Sequence, residues 1–157
     1  MIRIHTAAGL YPQAPLSRNG LARLLEEIAE ALDIDVEQVI VNIVGDAESR
    51  HANENFLKLP GPTNVLAFEA SCDQEESESG RPPLSGEILL NADALMRESL
   101  LYGQPPAEHL VRLLAHACLH LVGFDHGPLM DDLMEAAVQH VMEVFCGDSI
   151  SCRVFPF

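Results

Sequence analysis

PPAEHLVRLLAHACLHLVGFDH, residues 105–126, carries a helix pattern and a metal-ligand spacing in one stretch. Pro105 and Pro106 suit a first helical turn, where a missing N–H costs nothing. Glu108 favours the positive end of the helix dipole. Leu110, Leu113, Leu114, Ala117 and Leu121 recur at helical spacing and supply an apolar face. His116 and His120 stand at i and i+4, so their imidazoles share one face, about 5–6 Å apart at Cβ. Gly123 falls just past the last turn and accepts the left-handed conformation that stops a helix. The turn can then bring His126 round to the other two.

The full pattern is HxxxHxxGxxH. With seven histidines in 157 residues, three at these offsets arise by chance about 0.014 times, so unrelated histidines explain it poorly. Three neutral imidazoles leave a zinc ion its full double positive charge. Its bound water could then ionise near neutral pH, and the ion would also screen a bound phosphate. The site could therefore hydrolyse an ester, an amide or a phosphodiester. A structural zinc closed by a fourth protein ligand is the alternative. Asp125 is adjacent, although a residue next to a ligand usually points elsewhere. Ala117 narrows the chemistry, because a zinc peptidase of the HExxH type needs a glutamate there as general base.

Outward from this stretch, the pattern predicts a single α+β domain over residues 1–157, in the order β-α-β-α-β-β-α-α-α. MIRIHT (1–6) alternates like a strand, and Pro12 and Pro15 then break the chain. Residues 17–33 place Leu21, Leu24, Leu25, Ile28 and Leu32 on one stripe, with Ser17 or Asn19 as cap. VEQVIVNIV (36–44) is β-branched and reads as a strand. Asp46 is expected to cap a short helix reaching about Phe56. PGPTNVLAF (60–68) is a stiff turn followed by a strand apolar on both sides, which suits a strand covered on both faces. Residues 70–86, acidic and rich in Ser, Pro and Gly, read as a mobile loop. EILLN (87–91) is the last strand. Helices follow over 92–101, 105–122 and 128–145, with 147–157 as a C-terminal tail.

The formal net charge is −15, from nine Lys and Arg against 24 Asp and Glu, and Lys58 is the one lysine. Broad nucleic-acid binding rests on clustered cations, so this balance argues against it. A polyanion would have to be held by a local positive feature such as a metal. No apolar run approaches the roughly 20 residues of a membrane span, and the N-terminus lacks a secretory apolar core. A cytoplasmic location is expected, with neither membrane nor DNA as partner. Of the four cysteines, Cys118 points off the histidine face into the core. Cys72, Cys146 and Cys152 read as reduced thiols, a Cys146–Cys152 bridge being less favoured. His5, His51, His109 and His140 have no partner spacing and read as surface or packing residues.

HACLHLVGFDH (116–126) resembles the HGxLHLxGYDH signature of the YbeY family of bacterial zinc-dependent endoribonucleases and rRNA maturation factors. PTNVLAF (62–68) resembles the family's PTNVLSF, and SGEILLN (85–91) its GDI-type strand. The resemblance runs over nearly the whole chain. It implies a mixed four-stranded sheet with surrounding helices, and one zinc at His116, His120 and His126. It also implies cleavage of single-stranded RNA, 16S rRNA 3′-end maturation, ribosome quality control, and ribosomal proteins or the ribosome as partners. A non-catalytic zinc protein at the ribosome, or a metal hydrolase of a small ester or amide, are the rival readings. Thr63 and Asn64 could offer hydrogen bonds to a substrate.

The departures concern charge. Ala117 and Phe124 replace a glycine and a tyrosine, and Glu87 an aspartate. In NENFLKLPGPTN (53–64), Leu57 stands where the family carries an arginine thought to matter for catalysis. A guanidinium suits a phosphate and a leucine does not, so turnover is expected to be weak unless another cation substitutes. Lys58, Arg50 and Arg112 are the candidates for that catalytic role. Arg112 is favoured, because it lies one turn before His116 on the same helical face.

Overall fold

The computed structural model describes residues 1–7, 17–70 and 78–147. Its elements are β1 (Ile2–Thr6), α1 (Arg18–Ala31), β2 (Asp35–Val44), α2 (Asp46–Ala52), β3 (Val65–Glu69), β4 (Pro83–Asn91), α3 (Ala92–Tyr102), α4 (Pro106–Leu121) and α5 (Pro128–Gly147). A single π-helical turn, Asn53–Leu57, follows α2. The strands form one mixed sheet ordered β1-β2-β4-β3. β1, β2 and β4 run parallel, and β3 pairs antiparallel to β4 at the edge. This is the α+β fold expected, with four strands and five helices.

Alternation along the strands decides which face is buried. The registers Ile4↔Val41, Val41↔Ile88 and Ala67↔Ile88 line up every second residue on one face. That face meets Leu24, Leu25 and Ile28 of α1, Leu110 and Leu114 of α4 and Val141 of α5, all essentially inaccessible. Each such leucine contributes about 1.5–3 kcal/mol of burial. Ser17 caps α1, its Oγ accepting from the Gly20 N–H at 3.1 Å. Gly103, left-handed at φ 62°, ends α3 and lets α4 fold back against it.

The structure corrects the sequence reading at three places. β4 begins at Pro83 rather than Glu87, so residues 83–86 belong to the sheet and not to a loop. Partners on both sides hold this segment: Leu84 pairs Val36, and Gly86 pairs Val39 and Glu69. Asp46 is the first residue of α2, and Gly45 precedes it as cap. Its carboxylate instead accepts from Asn91 Nδ2 at 2.9 Å and pairs with Arg97 at 3.1 Å, which holds its pKa below the usual range. β3 is covered only in part on its two faces: Leu66 is buried, whereas Val65, Ala67 and Phe68 are half-buried. The acidic segment 71–77, the tail from 148, Pro12, Pro15 and the cysteine pairing lie outside the described residues. No helix among the described residues is long and apolar enough to cross a membrane.

Candidate metal centre

α4 presents His116 and His120 from its last two turns, half-buried at its C-terminal end. The chain then reverses at Gly123, φ 93°. Two backbone bonds fix the reversal: the Gly123 N–H donates to His120 C=O and the Phe124 N–H to Leu119 C=O, both at 3.0 Å. His126 comes back to face the other two. The ring centroids lie 4.5 Å (116–120), 5.1 Å (116–126) and 4.6 Å (120–126) apart. One nitrogen from each ring lies within 4.8 Å of the others, and His116 Nε2 is 3.1 Å from His120 Nε2.

These residues fit a zinc ion. Ligand nitrogens at about 2.0–2.1 Å in a tetrahedron are about 3.3–3.4 Å apart, a spacing the cluster can reach by small side-chain rotations. Burial pushes the His116 imidazole down to about 4, with His120 and His126 acting in the same direction and Asp131 against them. At neutral pH that ring is uncharged and its lone pair is free to ligate. Among the described residues no fourth His, Cys, Asp or Glu joins the group, and Asp125 is turned to solvent. Cys118 is fully buried in the core, and burial pushes its thiol up to about 12.

The histidines form one side of a cleft of about 740 Å³. Ala117 and Leu121 lie beside them, and Leu57, Leu59, Pro60, Pro62, Thr63 and Asn64 form the opposite wall with the exposed edge of β3. Apart from the imidazoles, Glu69 is the one charged side chain among the described lining residues.

Thr63 and Asn64 both reach the cleft, but their polar groups are largely committed. Ser49 Oγ accepts from the Thr63 N–H at 3.1 Å and donates to Thr63 C=O at 2.7 Å. Asn64 Oδ1 accepts from the Val65 N–H, and its Nδ2 donates to Glu98. The Thr63 hydroxyl has no partner among the described residues and remains available to a ligand.

The cations are placed differently from one another. The Arg112 guanidinium is bound by Glu135 (2.8 and 3.1 Å), Gln104 (2.9 Å) and Glu108 (3.1 Å), and it does not line the cleft. Arg50 is exposed on α2 and is not among the lining residues. Lys58 does not line the cleft either; it is exposed between two lining leucines, with a left-handed backbone (φ 57°) and no ion pair among the described residues. Sequence reasoning passed over Asn53, whose Nδ2 donates to Gly61 C=O at 2.9 Å and braces the 60–65 turn. His109, read as a surface or packing residue, is buried, and its pairing with Glu98 was not foreseen. The spacing of these pairs, 8 and 11 residues, carries no local signal.

The family model described as Endoribonuclease YbeY matches residues 13–145. The chain belongs to the YbeY family. It is 38 % identical over 154 residues to the Endoribonuclease YbeY of Oleidesulfovibrio alaskensis, covering 88 % of this chain and 91 % of that one. It is 36 % identical to the Endoribonuclease YbeY of Nitratidesulfovibrio vulgaris over 135 residues, 78 % of this chain and 83 % of that one. A Thermotoga maritima protein solved in solution shares the fold. Its TM-score is 0.62 at 22 % identity, and the match covers 94 % of this chain and 93 % of that chain.

Proposed function

We propose that this chain is a zinc-dependent endoribonuclease of the cytoplasm that cuts single-stranded RNA, acting in 16S rRNA 3′-end maturation and ribosome quality control. The observation that carries the reading is the convergence of three imidazoles on one side of a cleft of about 740 Å³. Membership of the YbeY family supports the substrate class. His116, His120 and His126 would hold one zinc. When bound, the ion supplies Lewis acidity, polarising a phosphoryl oxygen and acidifying water. The chain's own part is to bind and orient. The Thr63 hydroxyl can donate to a phosphate or ribose oxygen, and Leu57, Leu59, Pro60 and Pro62 give the cleft an apolar lining against which a base or ribose can rest. Lys58 at the lip is the cation best placed to meet the phosphate next to the scissile one.

With a net charge of −15 and Glu69 inside the cleft, affinity for naked RNA is weak. Targeting then rests on contacts with the ribosome or its proteins. A second reading, a zinc protein at the ribosome without turnover, is favoured by Leu57 in place of the family's arginine. RNA cleavage by the zinc-loaded chain, lost in His116→Ala, establishes the first reading. Full zinc occupancy with no cleavage of any single-stranded RNA establishes the second. Turnover of activated esters that RNA does not inhibit would replace both.

A further inference from the structure

Outside the metal centre, a half-buried carboxylate meets a buried imidazole behind the cleft wall that Asn64 lines. Glu98 on α3 and His109 on α4 face each other across the helix hairpin that Gly103 closes. His109 is 5 % exposed, and its Nε2 lies 2.7 Å from Glu98 Oε2. The edge of Tyr102 closes over the ring at 6.0 Å between centroids. The second ring nitrogen, Nδ1, is buried without a partner among the described residues. A buried polar atom left unpaired destabilises the fold, so an imidazole serving only to fill this space would do so worse than a leucine. The polar work of His109 is therefore done through Nε2, and the contact made there leads to the cleft. Both oxygens of Glu98 accept from Asn64 Nδ2 at 3.2 Å.

The orientation of Asn64 is fixed at both ends of its amide. Oδ1 accepts from the Val65 N–H at 2.8 Å, which leaves the NH₂ group for Glu98. Its backbone carbonyl accepts from the Asn91 N–H at 2.9 Å. Asn64 itself lines the cleft beside Thr63. His109 precedes His116 by seven residues, so it lies about two turns earlier on nearly the same face of α4. One helix thus holds the metal ligands at its end and a buried anchor near its start.

We propose that Glu98 and His109 are positioning residues: through Asn64 they set the 60–65 wall of the cleft at a fixed distance from the three histidines. The ring donates from Nε2 to the carboxylate, and the carboxylate holds the Asn64 amide. The wall can then carry the Thr63 hydroxyl without drifting. The consequence for catalysis rests on the RNA-cleaving reading above, whereas the consequence for Asn64 does not.

The test uses the full chain, loaded with zinc, as wild type, His109→Leu, His109→Gln and Glu98→Gln. Glutamine at 109 can still donate to Glu98, and leucine cannot. His109→Leu should lower kcat on a single-stranded RNA by about 10- to 100-fold with KM within about threefold, as expected for a displaced positioning group. Zinc content should be unchanged, and His109→Gln should recover most of the rate. Independently of activity, the Asn64 side-chain NH₂ signals in a nitrogen–proton NMR spectrum should exchange with water at least tenfold faster in His109→Leu. If His109→Leu does not fold, Glu98→Gln takes its place in both measurements. Wild-type exchange at Asn64 in a folded variant overturns the proposal. So does a kcat that stays at the wild-type value well below the melting temperature. If the wild-type chain cleaves no RNA, the RNA reading fails, and the Asn64 measurement alone decides the positioning role.

Discussion

Replacing Gly86 by alanine tests the packing between the sheet and the helix that carries the histidines. Gly86 sits in β4 with φ +152°, paired to Glu69 of β3. A Cβ there would lie 2.4 Å from the Phe68 carbonyl oxygen and 2.8 Å from Leu121 Cδ2. The leucine could rotate, but a backbone oxygen cannot. Reaching even a 3.0 Å contact would require β3 to move by about 0.6 Å, or β4 to twist. Overpacking of this kind costs about 1–3 kcal/mol, and the strained φ adds at least about 1, so about 3 kcal/mol is expected in all. For a chain of this size that lowers Tm by about 6–12 °C. Gly80→Ala is the control. Its φ is also positive (+75°), but nothing lies within 4 Å of the added atom. Strain alone should cost about 1 kcal/mol, or about 2–4 °C. Thermal unfolding followed by circular dichroism separates the two. A Gly86→Ala melting point no lower than that of Gly80→Ala would refute the steric argument.

For the metal, elemental analysis should find one zinc per purified chain and none in His120→Ala; full retention in the variant would remove that ligand from the site. The metal-free chain should lose stability as pH falls. The His116 value drops from 6.5 to about 4 on folding, so its contribution is whole above 6.5 and is lost between there and 4. Urea midpoints of the chelated protein across that window should show a fall that is smaller in His116→Leu. On the missing cation, Leu57→Arg should raise the single-turnover rate on RNA towards the roughly 10²–10³ that one positioned donor contributes. Arg112→Ala should change that rate by less than about threefold while costing about 1 kcal/mol of stability, because its guanidinium holds Glu135 and Glu108 rather than substrate. Loss of cleavage in Arg112→Ala with zinc retained would reverse this assignment. Finally, the slope of log K against log salt for single-stranded RNA should correspond to roughly two or three phosphates at about −0.7 each. A slope implying eight or more would contradict the weak-binding reading.

The metal centre was legible in the sequence because its geometry is local. An i, i+4 pair, a glycine that ends the helix, and a third histidine three residues later are fixed by helix pitch and one turn, whatever packs around them. The helices and most strands were legible for the same reason, since burial follows a period of 3.6 or 2 along the chain itself. Only the tertiary structure decided the rest. Residues 83–86 look like loop by composition and become strand because β2 and β3 supply ladder partners from far away in the chain. Asp46 looks like a cap and instead serves Asn91 and Arg97, 45 and 51 residues on. Arg112 shares a helical face with His116, yet its guanidinium is held by Glu135 of the next helix. His109 and Glu98 carry no spacing signal at all, and they meet because α3 and α4 pack as a hairpin. A long or charged side chain goes where its partner is, and partners brought together by packing leave no period in the sequence.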